Sequence, residues 1–262
     1  MGGLYSDDEK RKVTPMAWVL HCGDCLDASG GLASLEDNGV DVVITDPPYS
    51  EHVHRGFGAE RRNDGDRSRP ALSFAHMTPE LSGKLAVELC RITRRWIVIF
   101  CDELAFGMWV SALTRAGGQY VRGGVWTKTN AMPQLSGDRP SNGMELLVIS
   151  HAPRAKGRMH WNGGGRPAAY RGPAQEHSVP RIHPTQKPLW LMNRLIAEFT
   201  DPGETICDPF AGSATTMVAA VLRGRSAVGW ELDPAMATCA STRLAGTSEQ
   251  LPMFDGRSEE AP

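Results

Sequence analysis

The stretch Thr205–Glu231, TICDPFAGSATTMVAAVLRGRSAVGWE, decides the fold. A short apolar run from Thr205 to Cys207 ends at Asp208-Pro209. Small residues then lead into a helix-length apolar segment, Thr215 to Leu222. After Gly224 a second β-rich run, Ser226 to Trp230, closes on Glu231. Strand, compact turn, helix and strand in that order make a βαβ unit, which implies parallel strands joined by a crossover.

Working outward, the same alternation fills the chain. Ala17 to Leu20 and Val40 to Thr45 are short β-branched-rich runs that read as buried strands. Between them, Leu32 and Leu35 have helical spacing within Leu26–Asp37. Thr78-Pro79-Glu80 opens a helix with a capping residue and proline at its first position, and Leu81, Leu85, Leu89 and Ile92 form its apolar stripe. Trp96 to Phe100 is the next strand, and Leu104 to Arg115 a helix stopped by Gly117-Gly118. Val121–Lys128 and Glu145–Ser150 read as two more strands, an antiparallel pair. Leu189–Phe199 and Pro234–Leu244 read as helices. The expected fold is α/β: a mostly parallel twisted sheet with helices on both faces. Glu51–Ser73 and His151–Arg181 show no periodicity and are read as long loops.

Two segments carry chemistry. Asp46-Pro47-Pro48-Tyr49 directly follows a buried strand, where open α/β sheets bind their ligands. The prolines fix the backbone and offer carbonyls, Asp46 is an acceptor, and Tyr49 presents a flat face. Two acceptors and a stacking face suit an exocyclic amino group on a base. A plain strand-ending turn remains open on these four residues alone. The second segment is Asp208–Thr216, DPFAGSATT. Small residues there let backbone approach a bound cofactor beside a helix N-terminus. No Gly-Lys-Ser/Thr follows, so it is not a nucleoside-triphosphate loop, and the Gly-x-Gly-x-x-Gly pattern is missing. Glu231 at the end of the next strand suits a ribose diol.

Charge is uneven. The 28 Lys plus Arg against 30 Asp plus Glu give a net of −2, which taken whole argues against a nucleic-acid partner. Yet His151–Arg181 holds six basic residues against Glu176, a local +5, and Thr247–Pro262 carries −3. A basic, glycine-rich segment suits phosphate contacts, although a solvated loop has the same composition. With 41% apolar and 22% charged residues, a wholly disordered chain is excluded. Six cysteines in 262 residues do not form a disulfide framework. Cys22 and Cys25 have ligand spacing without a second pair, so no metal is expected and the cysteines read as buried apolar residues. No apolar run has membrane-span length, and the polar N-terminus is not a signal peptide. A soluble, cytoplasmic setting is expected.

Taken together, the motifs resemble the amino-group DNA methyltransferases, in the permuted (beta) class whose catalytic motif precedes the cofactor motif. Asp46–Tyr49 resembles the catalytic motif, with Asp as in adenine-N6 enzymes. Asp208–Ser213 resembles the S-adenosylmethionine loop, and His183-Pro184-Thr185-Gln186-Lys187-Pro188 the block before it. Gly23-Asp24-Cys25 is similar to the adenine-ring contact. Trp126–Asn130 and Glu145–Ser150 are similar to later catalytic-domain strands. The likeness runs from about Val19 to Leu244. It departs at Ala214, where members usually have Gly, and in a recognition region of only about thirty residues.

The resemblance implies a Rossmann-like methyltransferase fold over 13–246, a basic target-recognition insert at 151–182, and flexible tails at 1–12 and 247–262. It implies methyl transfer from S-adenosyl-L-methionine to N6 of a flipped-out adenine in double-stranded DNA, by Asp46, Pro47, Pro48 and Tyr49. Cofactor contacts are implied for Asp24, Cys25, Asp46, His183, Thr185, Lys187, Asp208, Phe210, Ala211, Gly212, Ser213, Thr215 and Glu231. Among these, Lys187 would pair with the methionine carboxylate. DNA contacts are expected from Arg55, Arg61, Arg62, Lys128, Arg154, Lys156, Arg158, Arg166 and Arg171. The short insert leaves no room for a large recognition domain, so a homodimer is expected, in a nucleoid-associated setting. Alternatives are N4-cytosine methylation and a silent DNA-binding relative. No Pro-Cys dipeptide occurs, which excludes the carbon-5 cytosine chemistry.

Overall fold

The computed structural model describes residues 18–49, 76–135, 137–153, 160–175 and 186–250. Over these residues one eight-stranded sheet runs β1-β8-β7-β2-β3-β5-β4-β6. Its strands are β1 (Trp18–Cys22), β2 (Val40–Thr45), β3 (Thr93–Cys101), β4 (Gln119–Lys128), β5 (Met144–His151), β6 (Ala169–Gly172), β7 (Thr205–Asp208) and β8 (Ser226–Glu231). The helices are α1 (Pro79–Ile92), α2 (Glu103–Arg115), α3 (Leu189–Phe199), α4 (Thr215–Leu222) and α5 (Pro234–Gln250). β5 alone runs antiparallel to its neighbours, β3 and β4; every other pair is parallel.

Local chemistry sets the element ends. The Thr78 hydroxyl accepts the Leu81 amide at 3.2 Å, and Pro79 begins α1. The Asp102 carboxylate accepts the Leu104 and Ala105 amides at 2.9 and 2.8 Å and starts α2. β2 is buried at all six positions, as a central strand covered on both faces must be. One core packs α3, α4 and α5 against the sheet, with Trp96, Phe100, Trp126 and Tyr170 in it. The other packs α1 and α2 around Ile97, Ile99 and Trp109.

Four expectations are corrected. Leu26–Asp37 forms only a short 3-10 turn, Leu32–Ser34. Asp27 caps the Ser29 and Gly30 amides there, and Gly31 passes so close to the Cys25 carbonyl that a Cβ would lie 2.4 Å from it. The basic segment contains a strand, β6, parallel to β4. It is fastened where Tyr170 is buried and its hydroxyl donates to Glu198 at 2.9 Å. Gly172 lets the Trp190 ring lie where a Cβ would be 2.4 Å away. Helix α5 continues to Gln250, so the segment assigned to a tail from 247 starts as helix. Cys25, Cys90, Cys101 and Cys207 are buried as expected, but Cys22 and Cys239 are exposed.

β7 and β2 lie side by side, with α4 following the first on one face and α1 preceding β3 on the other. Strand order reverses there. That is the switch point where such sheets open a crevice at their C-terminal ends.

Candidate active site

The two motifs meet at that crevice. Thr45, the last residue of β2, donates to Asp208 Oδ1 of β7 at 2.8 Å. Asp46 follows at once. One of its oxygens, Oδ2, is held by the Lys187 ammonium. The other, Oδ1, is shielded from solvent and has no hydrogen-bond partner among the described residues. Burial pushes the Asp46 carboxyl upward, and the Lys187 charge opposes that.

Around Asp46 stands a chain of alternating charges. Glu145, at the start of β5, accepts the Tyr49 hydroxyl at 2.7 Å and lies 3.1 Å from Lys187 Nζ through the same oxygen, Oε2. Its other oxygen is 2.7 Å from Lys128 Nζ. Tyr49 in turn accepts from Lys187 at 3.2 Å. Burial raises the Glu145 carboxyl, but Lys187 and Lys128 outweigh it and hold the group at about 2. Burial would lower the Lys187 ammonium; Asp46 and Glu145 raise it instead. Burial and the two carboxylates push the Tyr49 phenol well up, so it stays protonated. Lys187 also sits 5.1 Å from the Phe100 ring and 5.4 Å from the Tyr49 ring.

On the other side of the switch point, β1, β8 and β7 end side by side. Their loops form one rim. The Gly23 amide donates to the Glu231 carbonyl at 2.9 Å. Glu231 is buried and its carboxylate accepts the Gly212 and Asp233 amides at 2.9 and 2.8 Å. Asp208 also accepts the Phe210 amide at 3.2 Å, and burial pushes its carboxyl up to about 6. Gly212 and Ala214 are both left-handed, at φ 53 and 58. The Arg243 guanidinium donates to the Ser213 carbonyl at 2.8 Å and the Thr215 hydroxyl at 3.0 Å, bracing the turn. Gly229 is required opposite: a Cβ would meet Met217 Sδ at 2.7 Å and the Asp208 carbonyl at 2.9 Å.

Of the sequence-derived site residues, the structure brings Asp46, Pro47, Pro48, Tyr49 and Lys187 to the crevice and Asp24, Cys25, Asp208, Phe210, Ala211, Gly212, Ser213, Thr215 and Glu231 to the adjoining rim. Cys25 is buried, its thiol pushed up to about 12 by that burial. Two of the expected site residues have partners within the protein. Lys187, expected at the methionine carboxylate, is shared between Asp46 and Glu145. Lys128, expected on DNA, pairs with Glu145 and lies over the Trp126 ring at 5.2 Å. Arg171 is exposed on β6, and Arg166 lies 3.7 Å from Glu198. Trp161 packs against Phe199 with ring centres 6.4 Å apart. His183, Thr185, Arg55, Arg61, Arg62, Arg154, Lys156 and Arg158 lie outside the described residues. Glu145 was missed as a site residue. The only signal in the sequence was an acid opening an otherwise apolar strand.

The family model for DNA methylases acting at adenine N6 or cytosine N4 matches residues 40–241, which is most of the chain and includes both motifs. The chain belongs to this N6/N4 DNA methylase family. Among curated relatives it is 29% identical over 238 residues to the putative methylase YubD of Escherichia coli K12, covering 87% of this chain and 91% of that one. It is 33% identical over 143 residues to the type II methyltransferase M.XycI of Xanthomonas campestris pv. cyanopsidis, covering 51% and 47%. Its fold is similar to M1.HpyAVI solved with S-adenosylmethionine (TM-score 0.63, 23% identity, 87% and 100% covered). It is also similar to the PvuII cytosine-N4 DNA methyltransferase (TM-score 0.66, 13% identity, 90% and 93% covered).

Family membership makes this enzyme a DNA methyltransferase that takes its methyl group from S-adenosyl-L-methionine, on a Rossmann-like fold. The rim fits that cofactor. It presents carboxylates at Asp24 and Glu231, and glycine backbone at 212 and 229 where a side chain would be strained or would collide. No helix of the described residues is long and apolar enough to cross a membrane. Among them, no three His, Cys, Asp or Glu side chains gather as a metal set.

Proposed function

We propose that this enzyme methylates N6 of an adenine flipped out of double-stranded DNA. The observation that carries the reading is Asp46 Oδ1: a shielded acceptor without a partner among the described residues, one residue from the tie to the proposed cofactor loop and three from Tyr49. A base in the stack cannot reach such a pocket and must be extruded, which costs about a few kcal/mol. Asp46 Oδ1 then accepts one amino hydrogen and the Pro47 carbonyl the other, which aims the nitrogen lone pair. Tyr49 stacks on the ring. The sulfonium of the bound cofactor supplies an already activated methyl, so these residues act by alignment. Asp24, Glu231 and the Asp208–Thr215 turn hold the cofactor by its base, its ribose and its methionine end respectively.

Asp at position 46 favours adenine. Cytosine N4 is the second reading, supported by the fold's similarity to the PvuII enzyme, since both amines need the same two acceptors. We further infer a cytoplasmic setting on DNA and a homodimer, because the recognition segment is short; a monomer by sedimentation both free and on DNA would remove the dimer. The deciding experiment is methylation of mixed-sequence DNA with labelled cofactor, followed by digestion and mass identification of the nucleoside. N6-methyl-2′-deoxyadenosine is expected, and N4-methyl-2′-deoxycytidine would replace the first reading with the second. The Asp46→Ala protein should fold and transfer nothing. Wild-type transfer by it would defeat both.

A further inference from the structure

Two carboxylates and two ammonium groups alternate in one partly buried chain: Asp46, Lys187, Glu145, Lys128. Each inner member bridges two neighbours, so the set is charge-balanced without solvent. Lys187 takes Asp46 by Oδ2 only, which leaves Oδ1 as the open acceptor. The Glu145 Oε2 atom meets both the Tyr49 hydroxyl and Lys187. One carboxylate therefore sets the stacking ring and the cation that orients the acceptor.

We propose that Lys187 and Glu145 are positioning residues of the transfer: Lys187 keeps Asp46 ionised with Oδ1 turned outward, and Glu145 locks Lys187 and Tyr49 into one arrangement. The proposal rests on Asp46 being the acceptor for the target amine. Among the described residues, the titratable or charged groups around Asp46 are Lys187 ahead of α3, Glu145 of β5, Tyr49 of its own segment, Asp208 of β7 and Cys101 of β3. Lys128 of β4 acts one step away, through Glu145. Of these only Lys187 is a cation in contact with the carboxylate. Its removal leaves Asp46 beside anions or neutral groups in a shielded place, which favours the protonated form. A protonated Asp46 is a poorer acceptor for the amine.

The test is the pH profile of kcat/KM with DNA as the varied substrate, measured for wild type, Lys187→Met, Lys187→Arg and Glu145→Gln. Lys187→Met is expected to slow transfer about 100-fold, as displaced reacting groups do, and to move the acid limb up by about one pH unit or more. Lys187→Arg restores the charge and should return the limb to the wild-type position. Glu145→Gln removes an anion near Asp46 while keeping an acceptor for the tyrosine, so its limb should stay or move down. A Lys187→Met protein that raises only the KM for S-adenosylmethionine, with the limb unmoved, would overturn the proposal and return Lys187 to the methionine carboxylate. Should Lys187→Met not fold, Lys187→Gln takes its place with the same expectations. The Asp46 reading fails separately, through activity in Asp46→Ala.

Discussion

Thr45 and Asp208, 163 residues apart in sequence, share a buried hydrogen bond of 2.8 Å. It joins the last residue of β2 to the last of β7, so the segment proposed to meet the amine and the segment proposed to meet the cofactor are fixed to each other. In-line transfer needs the two within a fraction of an ångström of their working distance. The sheet supplies the coarse placement through the parallel pairing of Val42 with Ile206 and Val43 with Cys207. The hydroxyl supplies the final tie.

Thr45→Val keeps the shape and β-branching but removes the donor. We expect a loss of about 1–2 kcal/mol, since Asp208 loses a buried partner. Turnover should fall while Thr45→Ser stays near wild type. Urea unfolding and single-turnover transfer check this; a valine protein equal to wild type in both would show the bond to be incidental.

Asp208 makes stability depend on pH in an uncommon direction. Its folded pKa, about 6, lies above the ordinary 3.8 because of burial. The group's contribution is therefore fully present below about pH 4 and is lost as pH rises through 6. Above that, the buried charge costs on the order of 3 kcal/mol at most. Asp208→Asn does not carry that charge. Its stability relative to wild type should accordingly improve between pH 4 and 7, read as the difference in urea midpoints. A difference flat across that range would mean the carboxyl titrates near its ordinary value.

Much of this was written in the chain, and the reason differs by element. β2 is legible because its β-branched run of Val40, Val42, Val43 and Ile44 stops at Asp46 and two prolines, and α1 because cap, proline and stripe agree. β6 is not: its four residues become a strand only through β4's free edge and the fit of Gly172 against Trp190. Leu32 and Leu35 imitate helical spacing, but the contacts that decide that segment are the close passage of Gly31 and the Asp27 cap. The site divides the same way. Asp46–Tyr49 and Asp208–Ser213 are contiguous, so local chemistry exposes them. Glu145 gains its role from Tyr49, 96 residues upstream, and from Lys187, which no local pattern links.

Ala214 sets a substitution limit in the turn proposed to hold the cofactor. It is fully buried and left-handed at φ 58. Relief of that conformation by Gly is worth about 1–2 kcal/mol. Lost chain entropy takes back about 0.5–1 kcal/mol, and the lost methyl about 0.8. Ala214→Gly should therefore lie within about 1 kcal/mol of wild type. Ala214→Val adds a branched side chain where neither backbone nor space accepts one, and should lose several kcal/mol, about 3 or more, together with cofactor affinity. Thermal unfolding with and without S-adenosylmethionine separates the pair. Equal behaviour of Gly and Val would mean that the turn is not held in this conformation.

On β6, Arg171 pairs with Thr127, one register step from the Lys128–Gly172 pair, near the strand end that carries Lys128. It is exposed there, whereas Arg166 shares its charge with buried Glu198 at 3.7 Å. A phosphate contact releases counterions in proportion to the positive charge it brings, with a slope in log K against log salt of about 0.9 per contact. Arg171→Ala should thus flatten that slope by about 0.9 and weaken binding to all sequences alike. Arg166→Ala should flatten it less, because part of its charge is already neutralised within the fold. Fluorescence-anisotropy titrations of one duplex across a salt series measure both. A slope that is unchanged by Arg171→Ala would take this residue out of the DNA interface.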